Sequence, residues 1–522
     1  MGELGDDESG WARPRGDGMG SRGDRAWRSD FDIDRDRVLY SPEFRRLAGV
    51  TQVISPQEDY VFHDRLTHSL KVAQTAERLA QRLLHEYSKT AGADLPLALA
   101  NVSPAVCYVA GLCHDLGHPP FGHAAEKQLQ RELEDIGSKT ADGPETVVRV
   151  RDGFEGNAQS YRIVSRLSLR KSQGLESGRD EQSIERGLNL TWRSLAAISK
   201  YPWTAGEGEE LAVERAGHAA GTEPAPHDTT PDEMTPAEKL TNEKWGFYDT
   251  ESEDLEFLER NDVVVMDGGP YLRHRSVEAE IMDWSDDIAY AVHDLEDFFR
   301  ADRVPLARLR DKDAPEWEPI LAEANDRLGK YFPGSPGIAG ELENLRDKHV
   351  VPQLPLNPFD GSRESHAAVQ RFASAWIRYL QDATTLRLLD GRFEVFVERD
   401  ARIVAEMLKA INVYYVIEEP TMTVMQRGQT RVIKELFDAL LTMAIEVEEK
   451  GVDKPQLRRT VPARLEAFMV NAVEESDREL TQSMARAVVD FICSLTDKQA
   501  GLLHQRIMGD AAPRLSPYWL NV

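Results

Sequence analysis

Apolar residues recur every three or four positions through much of the chain, which is the spacing of one face of an α-helix. The first stripe consists of Leu66, Leu70, Ala73, Ala76, Leu79, Ala80 and Leu83. A second stripe covers Val106, Val109, Ala110 and Cys113 and stops at the sequence Gly-His-Pro-Pro, a combination that ends helices. The two stripes predict two core helices.

The same spacing returns in the second half of the chain. Residues 278 to 299 read as one long helix, and further helical stretches are expected over residues 402–415, 431–447, 461–473 and 480–495. Strict alternation of apolar and polar residues, the mark of a strand, is scarce. The pattern therefore predicts an all-α, mostly helical fold with peripheral helices and irregular insertions.

Composition shifts divide the chain into segments. Residues 1–30 are rich in Gly, Asp and Arg and predict a flexible tail, whereas residues 31–300 form the expected core. Within that core, residues 204–243 are small, acidic and Pro-bearing, which indicates an insertion. Residues 301–365 are expected to be an irregular connecting segment, and residues 366–522 a helical C-terminal region that stays helical to the end.

The net charge of −27 comes from 63 basic and 90 acidic side chains, which is the wrong sign for a protein coated in nucleic acid. No apolar run approaches the ~20 residues needed to cross a bilayer, and the N-terminus lacks the apolar centre of a signal peptide. We expect a cytoplasmic protein with no membrane partner. The three cysteines, Cys107, Cys113 and Cys493, lie in apolar helical patterns and predict buried, reduced thiols.

The sharpest chemical feature is GLCHDLGHPPFGHAAE, residues 111–126, in which His114 and Asp115 end an apolar helix and His118 and His123 follow. Imidazole and carboxylate groups bind Mn, Fe, Zn or Mg-type ions. A single histidine on an apolar face is more often a core residue with a hydrogen-bond partner. Four titratable groups at one helix end favour a functional site, because each would need its own partner in a core.

Upstream, His68 heads the first amphipathic helix in HDRLTHSLKVAQ, and Arg65 precedes it by nearly one turn. His63 is the rival metal ligand, but it falls before the helical periodicity begins and is expected in a loop. The sequence therefore favours His68 as a second imidazole for the same site.

Downstream, residues 278–297 place Asp286, Tyr290, Asp294 and Asp297 on one face of the long helix. A solvated acidic stripe is the plainer explanation. However, the same turns are rich in apolar side chains, so the helix is expected to be buried over most of its circumference. Buried carboxylates need a cation or hydrogen-bond donors.

Taken together, these segments resemble a known family. RLTHSLKVAQ, HDLGHPPFGHAAE, FEGNAQS and DDIAYAVHDLED, in this order between residues 45 and 297, are similar to the bacterial deoxyguanosine triphosphate triphosphohydrolase family of the HD phosphohydrolase superfamily. The resemblance implies a helical HD-domain fold that binds one divalent metal ion (Mn, Mg or Fe). Its implied ligands are His68, His114, Asp115 and Asp286, the last chosen over Asp287 because it stands four residues before Tyr290.

The resemblance also implies the catalytic groups. His123 and Glu126 would form an acid/base pair that positions the attacking water, and His118 would contact the phosphates or assist. A purely structural role for Glu126, as an acidic residue favoured near a helix N-terminus, is the alternative.

Substrate contacts follow from the same resemblance. Phosphate contacts are expected from Arg65, Lys200, Tyr201 and Lys244, since basic side chains must offset the triphosphate charge inside an acidic protein. Sugar contacts are expected from Gln52, Tyr290 and Asp294, with Tyr290 packed beside C2′ so that a ribose hydroxyl is excluded.

The implied activity is hydrolysis of a deoxynucleoside triphosphate, dGTP or several dNTPs, to the deoxynucleoside and inorganic triphosphate. Another HD-family nucleotide phosphohydrolase and a nucleic-acid-binding regulatory protein that retains the fold are the alternatives. A homo-oligomer is expected, whereas an allosteric dNTP and single-stranded DNA are open as further partners. The C-terminal third resembles the family only loosely, through segments such as PTMTVMQRGQTRVI, so the base preference is open.

Overall fold

The computed structural model describes most of the chain. The described residues are 27–52, 63–91, 102–134, 136, 150–171, 184–208, 244–260, 265–266, 273–329, 331–332, 338–389, 392–417, 419–451, 460–474 and 479–509. Residues 1–26 of the expected tail and residues 209–243 of the expected insertion lie outside these ranges. None of the helices within them has the length and apolar character needed to span a membrane.

The first part of the chain is helical, with two short strand pairs. Its elements are α1 (Asp30–Leu39), α2 (Pro42–Arg46), α3 (Arg65–Ala91), α4 (Pro104–Cys113), α5 (His123–Glu134), α6 (Gly156–Arg162), β1 (Leu169–Lys171), β2 (Ile184–Arg186), α7 (Trp192–Ile198), α8 (Ser252–Arg260), β3 (Val265–Met266), β4 (Arg273–His274) and α9 (Val277–Arg300). The long helix expected over residues 278–299 is confirmed as α9, whose N-terminus is capped by the Ser276 side chain.

The rest of the chain adds further helices and one hairpin. These elements are α10 (Trp317–Leu328), α11 (Ile338–Leu345), α12 (Val351–Gln353), α13 (Arg363–Asp382), β5 (Thr384–Leu389), β6 (Arg392–Val397), α14 (Arg399–Asn412), α15 (Pro420–Gly451), α16 (Ala463–Glu474), α17 (Leu480–Ile492) and α18 (Asp497–Ile507). Single π-helical turns follow α6, α11 and α14, at Ile163–Leu167, Arg346–Val350 and Val413–Ile417. The all-α, mostly helical fold class is confirmed.

Two details of the sequence prediction are wrong. The 301–365 segment is not irregular, since it contains α10 and α11. Helix α10 buries Trp317, Ile320, Ala324 and Leu328 at helical spacing. This apolar stripe is short, and the surrounding Pro and Gly residues obscure it in the sequence. The region after residue 366 is not helical throughout, because β5 and β6 pair in antiparallel register from Thr384↔Val397 to Leu389↔Arg392. The dipeptide Asp390-Gly391 between them is a hairpin signal in the sequence.

The core helices pack around α3. Helix α4 lies along α3, and α9 contacts both of them, so three site-bearing elements share one packing interface. Gly111 on α4 permits this approach, because a Cβ there would meet the Ala73 backbone at 2.5 Å. All three cysteines are buried and free, as expected.

The apolar core falls into two large clusters, and α3 and α4 contribute residues to both. One cluster joins α4, α5 and α6 to the C-terminal helices α15 to α18, and includes Leu129, Phe437 and Phe491. The other joins α9 to α10, α13 and α14, and includes Trp317 and Met407. The C-terminal helices are therefore packed directly against the helices that carry the histidine cluster.

A buried ionic network reinforces the contact between α6 and α17. Arg162 donates from Nη2 to Asp490 Oδ2 at 3.0 Å and from Nη1 to Glu251 Oε1 at 2.9 Å, and Gln159 Nε2 donates to Asp490 Oδ1 at 2.9 Å. The side chains of Arg162 and Asp490 are each 1% exposed. The buried charges of Arg162, Asp490 and Glu251 are paired with one another, which is the condition under which such a cluster is tolerated in a core.

Replacing Asp490 with alanine is expected to lower the free energy of unfolding by about 3–5 kcal/mol, because Arg162 would keep its buried charge without its main partner. Chemical denaturation measures the change. Glu446→Ala is the control, since Glu446 pairs with Lys450 on an exposed helical face and such pairs contribute little. A loss for Asp490→Ala no larger than that of the control would contradict the proposed role.

Candidate active site

A cavity of about 890 Å³ opens between α3, α5, α9 and α14. Its lining contains seven Asp or Glu residues but nine Lys or Arg residues, namely Arg65, Lys127, Lys200, Lys244, Arg275, Arg327, Arg399, Arg402 and Lys409. The formal charge of the wall therefore has the opposite sign to the net charge of the chain. A local excess of cations is what an anionic ligand needs.

The 114–122 loop connects α4 to α5 and carries the histidine cluster to this cavity. Phe121 and Gly122 both take left-handed backbone conformations, with φ of 68° and 61°. That conformation is costly for Phe121, and such strain concentrates at functional sites. Gly117 is required for close approach, since a Cβ there would meet Gly156 O and Ser160 N at 2.3 Å.

His68, His114 and Asp286 bring three ligand atoms within 4.8 Å of one another. Asp286 Oδ1 lies 3.0 Å from His68 Nε2 and 3.5 Å from His114 Nε2. His114 Nδ1 faces the Gly111 carbonyl at 2.8 Å, while its Nε2 is buried without a hydrogen-bond partner. The carbonyl favours a proton on Nδ1, which leaves the Nε2 lone pair free for a metal. The donor set fits a divalent cation.

Asp115 adjoins this group. Its Oδ2 lies 3.5 Å from His114 Nε2 but also accepts a hydrogen bond from Arg65 Nη1 at 2.7 Å. Its Oδ1 lies 3.1 Å from His118 Nδ1. The two carboxylate oxygens thus stand between the candidate metal ligands, the guanidinium and the next histidine.

Electrostatics keep the two carboxylates ionised. Burial alone would raise the pKa of Asp115, but Arg65 and His114 outweigh it and hold that pKa well below its usual range. For Asp286 the same burial effect is outweighed by Lys200 and His114. Both groups are therefore anionic at neutral pH, the state in which carboxylates bind metals.

His118, His123 and Glu126 form a second cluster beside the first. His118 Nε2 lies 3.5 Å and His123 Nε2 3.9 Å from the Glu126 carboxylate. Burial raises the pKa of Glu126. Partial desolvation of the ring, and then the Arg65 and Lys244 cations, lower the pKa of His123, although 68% of its side chain is exposed. A neutral imidazole at neutral pH is a proton acceptor.

All four expected phosphate contacts line the cavity: Arg65, Lys200, Tyr201 and Lys244. Lys200 Nζ donates to Asp286 Oδ2 at 2.7 Å and lies 3.2 Å from Asp283 Oδ1. Tyr201 and then Glu155 raise the pKa of Lys244 against the effect of burial, so Lys244 stays charged.

Two of the three expected sugar contacts line the cavity and the third does not. Gln52 and Tyr290 line the cavity, and Gln52 Oε1 is buried without a hydrogen-bond partner. Asp294 does not line it. Burial and the neighbouring Asp297 raise its pKa well above the usual range.

His63, the rival metal ligand, contacts Asp297. It takes no part in the His68–His114–Asp286 group, as its loop position suggested.

Several cavity residues escaped the sequence analysis. Asp283 lies three residues before Asp286 and accepts from Arg275 at 2.7 Å, so helical spacing from the ligand would have found it. Asp287 accepts from Arg402 and Lys409, each at 2.5 Å, which supports the choice of Asp286 for the metal group. The Arg402 and Lys409 partners had no local signal, because they come from α14, far along the chain.

The C-terminal region fastens the 114–122 loop. Asp497 Oδ1 accepts from the Phe121 N–H at 2.9 Å, and Asp497 Oδ2 accepts from the Thr51 N–H at 3.0 Å. Arg46 donates to the carbonyls of Leu116 at 2.7 Å and His118 at 2.8 Å. These bonds hold the strained loop and the residue before Gln52 in one position.

Asp497→Ala is expected to accelerate amide exchange in the 116–123 and 45–52 peptides by about tenfold or more, because each lost bond to a charged acceptor is worth about 1.5–3 kcal/mol. Hydrogen–deuterium exchange with mass spectrometry measures it. Peptides from α9, which Asp497 does not contact, serve as the internal control. Equal protection of the loop in the variant and the unmodified chain would show that Asp497 does not fasten it.

Comparison with known proteins identifies the family. Residues 65–171 match the HD domain, and residues 395–506 match the phosphohydrolase-associated domain. The chain is 32% identical over 500 residues to the deoxyguanosinetriphosphate triphosphohydrolase-like protein of Streptomyces coelicolor, covering 93% of this chain and 94% of that protein. It is 32% identical over 495 residues to the protein of the same name from Corynebacterium efficiens, with 92% of each chain covered. The chain therefore belongs to the deoxyguanosinetriphosphate triphosphohydrolase-like family of HD-domain phosphohydrolases.

Proposed function

We propose that the protein hydrolyses a deoxynucleoside triphosphate at the α-phosphorus, releasing the deoxynucleoside and inorganic triphosphate. The observation that carries the proposal is the meeting, in one cation-rich cavity, of the His68–His114–Asp286 group and the His118–His123–Glu126 cluster. Phosphoryl transfer needs phosphates that are held in position, groups that stabilise the developing charge, and a base that accepts the proton of the attacking water. The names of the relatives point to the same substrate class.

His68, His114, Asp115 and Asp286 would hold one divalent metal ion, with Mn, Mg and Fe as the candidates. When bound, such an ion supplies a Lewis acid for phosphate oxygens and lowers the pKa of a bound water. The chain's own part is to hold these donors in place. The Gly111 carbonyl orients His114, and Lys200 orients Asp286 by donating a hydrogen bond to its Oδ2.

The reaction joins the oxygen of water to the α-phosphorus and breaks the bond from that phosphorus to the 5′ oxygen. In the proposal, neutral His123 accepts the proton of the attacking water, and Glu126, 3.9 Å away, orients the imidazole and stabilises its charge. The proton is then available for the departing 5′ oxygen. His118, between Asp115 and Glu126, would contact the phosphates or assist.

Arg65, Lys200, Tyr201 and Lys244 would bind the triphosphate. All four line the cavity, and Arg65 offers Nε and Nη2, two buried donors without a hydrogen-bond partner. Buried unpaired donors are costly. Phosphate oxygens at these positions would satisfy them, since a guanidinium fork matches their geometry.

The products separate this activity from its nearest rival. Purified protein is incubated with Mn²⁺ and each dNTP, singly and in pairs, and triphosphate is resolved from pyrophosphate and monophosphate. Triphosphate with free deoxynucleoside is the expected result. Monophosphate or diphosphate products would replace the proposal with another HD-family phosphohydrolase activity. Stimulation of one dNTP's hydrolysis by another would reveal an allosteric nucleotide.

Two histidine variants should separate metal binding from chemistry. His114→Ala is expected to lose both bound metal and turnover, because it removes a ligand from the group. His123→Ala should keep the metal at the His68–His114–Asp286 group while kcat falls by roughly 10² to 10⁴, the range of a general acid/base. Elemental analysis and steady-state kinetics are compared for both. Full activity in either variant would remove that residue from its proposed role.

Tyr290→Ala is expected to raise kcat/KM for GTP relative to dGTP, because loss of the ring opens space beside C2′. Tyr290 lines the cavity on the face of α9 that carries Asp286. If it served packing alone, its loss would lower stability and leave the deoxy/ribo ratio unchanged. Tyr290→Phe is the control, since it keeps the ring. Both ratios are measured together with a melting curve.

A further inference from the structure

His118, His123 and Glu126 meet the geometric requirements of a metal site of their own. Their ligand atoms all lie within 4.8 Å of one another. Donor atoms about 2.0–2.2 Å from a tetrahedral zinc ion stand roughly 3.3–3.6 Å apart. The observed separations from the Glu126 carboxylate, 3.5 Å for His118 Nε2 and 3.9 Å for His123 Nε2, need little adjustment to reach that value.

The orientation of His118 suits this role. Its Nδ1 faces Asp115 Oδ1 at 3.1 Å, while its Nε2 faces Glu126 Oε1. A carboxylate beside one ring nitrogen favours the proton there and leaves the other nitrogen's lone pair free, the usual arrangement behind a metal-binding histidine. The His118 and His123 rings have their centroids 5.6 Å apart, so both can turn a nitrogen toward one ion.

Charge does not prevent a cation from binding here. Arg65 and Lys244 are the strongest cations acting on His123, but Arg65 is paired with Asp115 at 2.7 Å. Lys244 interacts with the Glu155 and Glu126 carboxyl groups, and both of these line the cavity. Two imidazoles and one carboxylate favour zinc over magnesium or calcium, which prefer all-oxygen sites.

We propose that His118, His123 and Glu126 bind a zinc ion at a second site, separate from the His68–His114–Asp286 group, and that zinc bound there inhibits hydrolysis. His123 is two-thirds exposed, which leaves the site open to solvent for a water as fourth ligand and for reversible exchange. The inhibitory half rests on the proposed function. A zinc-bound imidazole has no lone pair left for the proton of the attacking water.

Equilibrium dialysis of the full-length chain against Zn²⁺ alone tests the site without any substrate. His123→Ala and Glu126→Gln are each expected to bind one equivalent of zinc fewer than the unmodified protein. Asp286→Ala should retain the zinc that these variants lose. His504→Ala is the matched control, because His504 faces Glu435 at 2.6 Å outside the cavity and should keep full stoichiometry. Circular dichroism verifies that each variant is folded.

Unchanged zinc stoichiometry in folded His123→Ala and Glu126→Gln would overturn the site. Loss of the same equivalent in Asp286→Ala would also overturn it, since both clusters would then hold a single ion.

A kinetic arm tests the inhibition. With Mn²⁺ saturating, added Zn²⁺ should reduce dNTP hydrolysis over the concentration range in which the second equivalent binds, and a chelator followed by fresh Mn²⁺ should restore it. Hydrolysis that is unaffected at full zinc occupancy would overturn the inhibitory role. If no dNTP is hydrolysed even without zinc, the proposed function fails, while the dialysis result still decides whether the zinc site exists.

Discussion

The structure around the cavity depends on keeping two carboxylates ionised where water has little access. The Asp115 side chain is 7% exposed and that of Asp286 is 24% exposed, and this burial would favour their neutral forms unless cations lay beside them. Arg65 at the start of α3 and Lys200 after α7 provide those cations at 2.7 Å. Packing of α3, α4, α7 and α9 brings the four groups together.

The same principle of local neutralisation extends along the cavity wall. Asp287 is matched by Arg402 and Lys409, and Glu406 by Lys409 and Arg327. Because nine basic but seven acidic side chains line the cavity, positive side chains are in excess there although the protein as a whole is acidic. Long-range repulsion of an anion by the rest of the surface is screened within about 8–10 Å at physiological salt. The charges on the cavity wall therefore determine which ligands the cavity attracts.

Local patterns were enough to predict the helices that carry the metal-ligand candidates. The stripes of α3, α4 and α9 are long and strongly periodic, and His68, His114 and Asp286 lie at points where those stripes meet polar residues. The partners of Asp287 and the bonds from Asp497 were beyond reach, since they depend on tertiary packing of segments more than a hundred residues apart. The β5–β6 hairpin was missed because most of β5 is exposed and lacks strict alternation.

The bonds from Asp497 to Phe121 and Thr51 have a consequence for incomplete chains. A polypeptide released by the ribosome before residue 497 has been added already contains every candidate ligand and acid/base group, yet it has no carboxylate to fasten the loop between them. Truncated products, whether from a nonsense mutation or from proteolysis ahead of α18, would thus keep the bonds from Arg46 to the loop but lack both bonds from Asp497. The loop is fully fastened only after residue 497 has been synthesised.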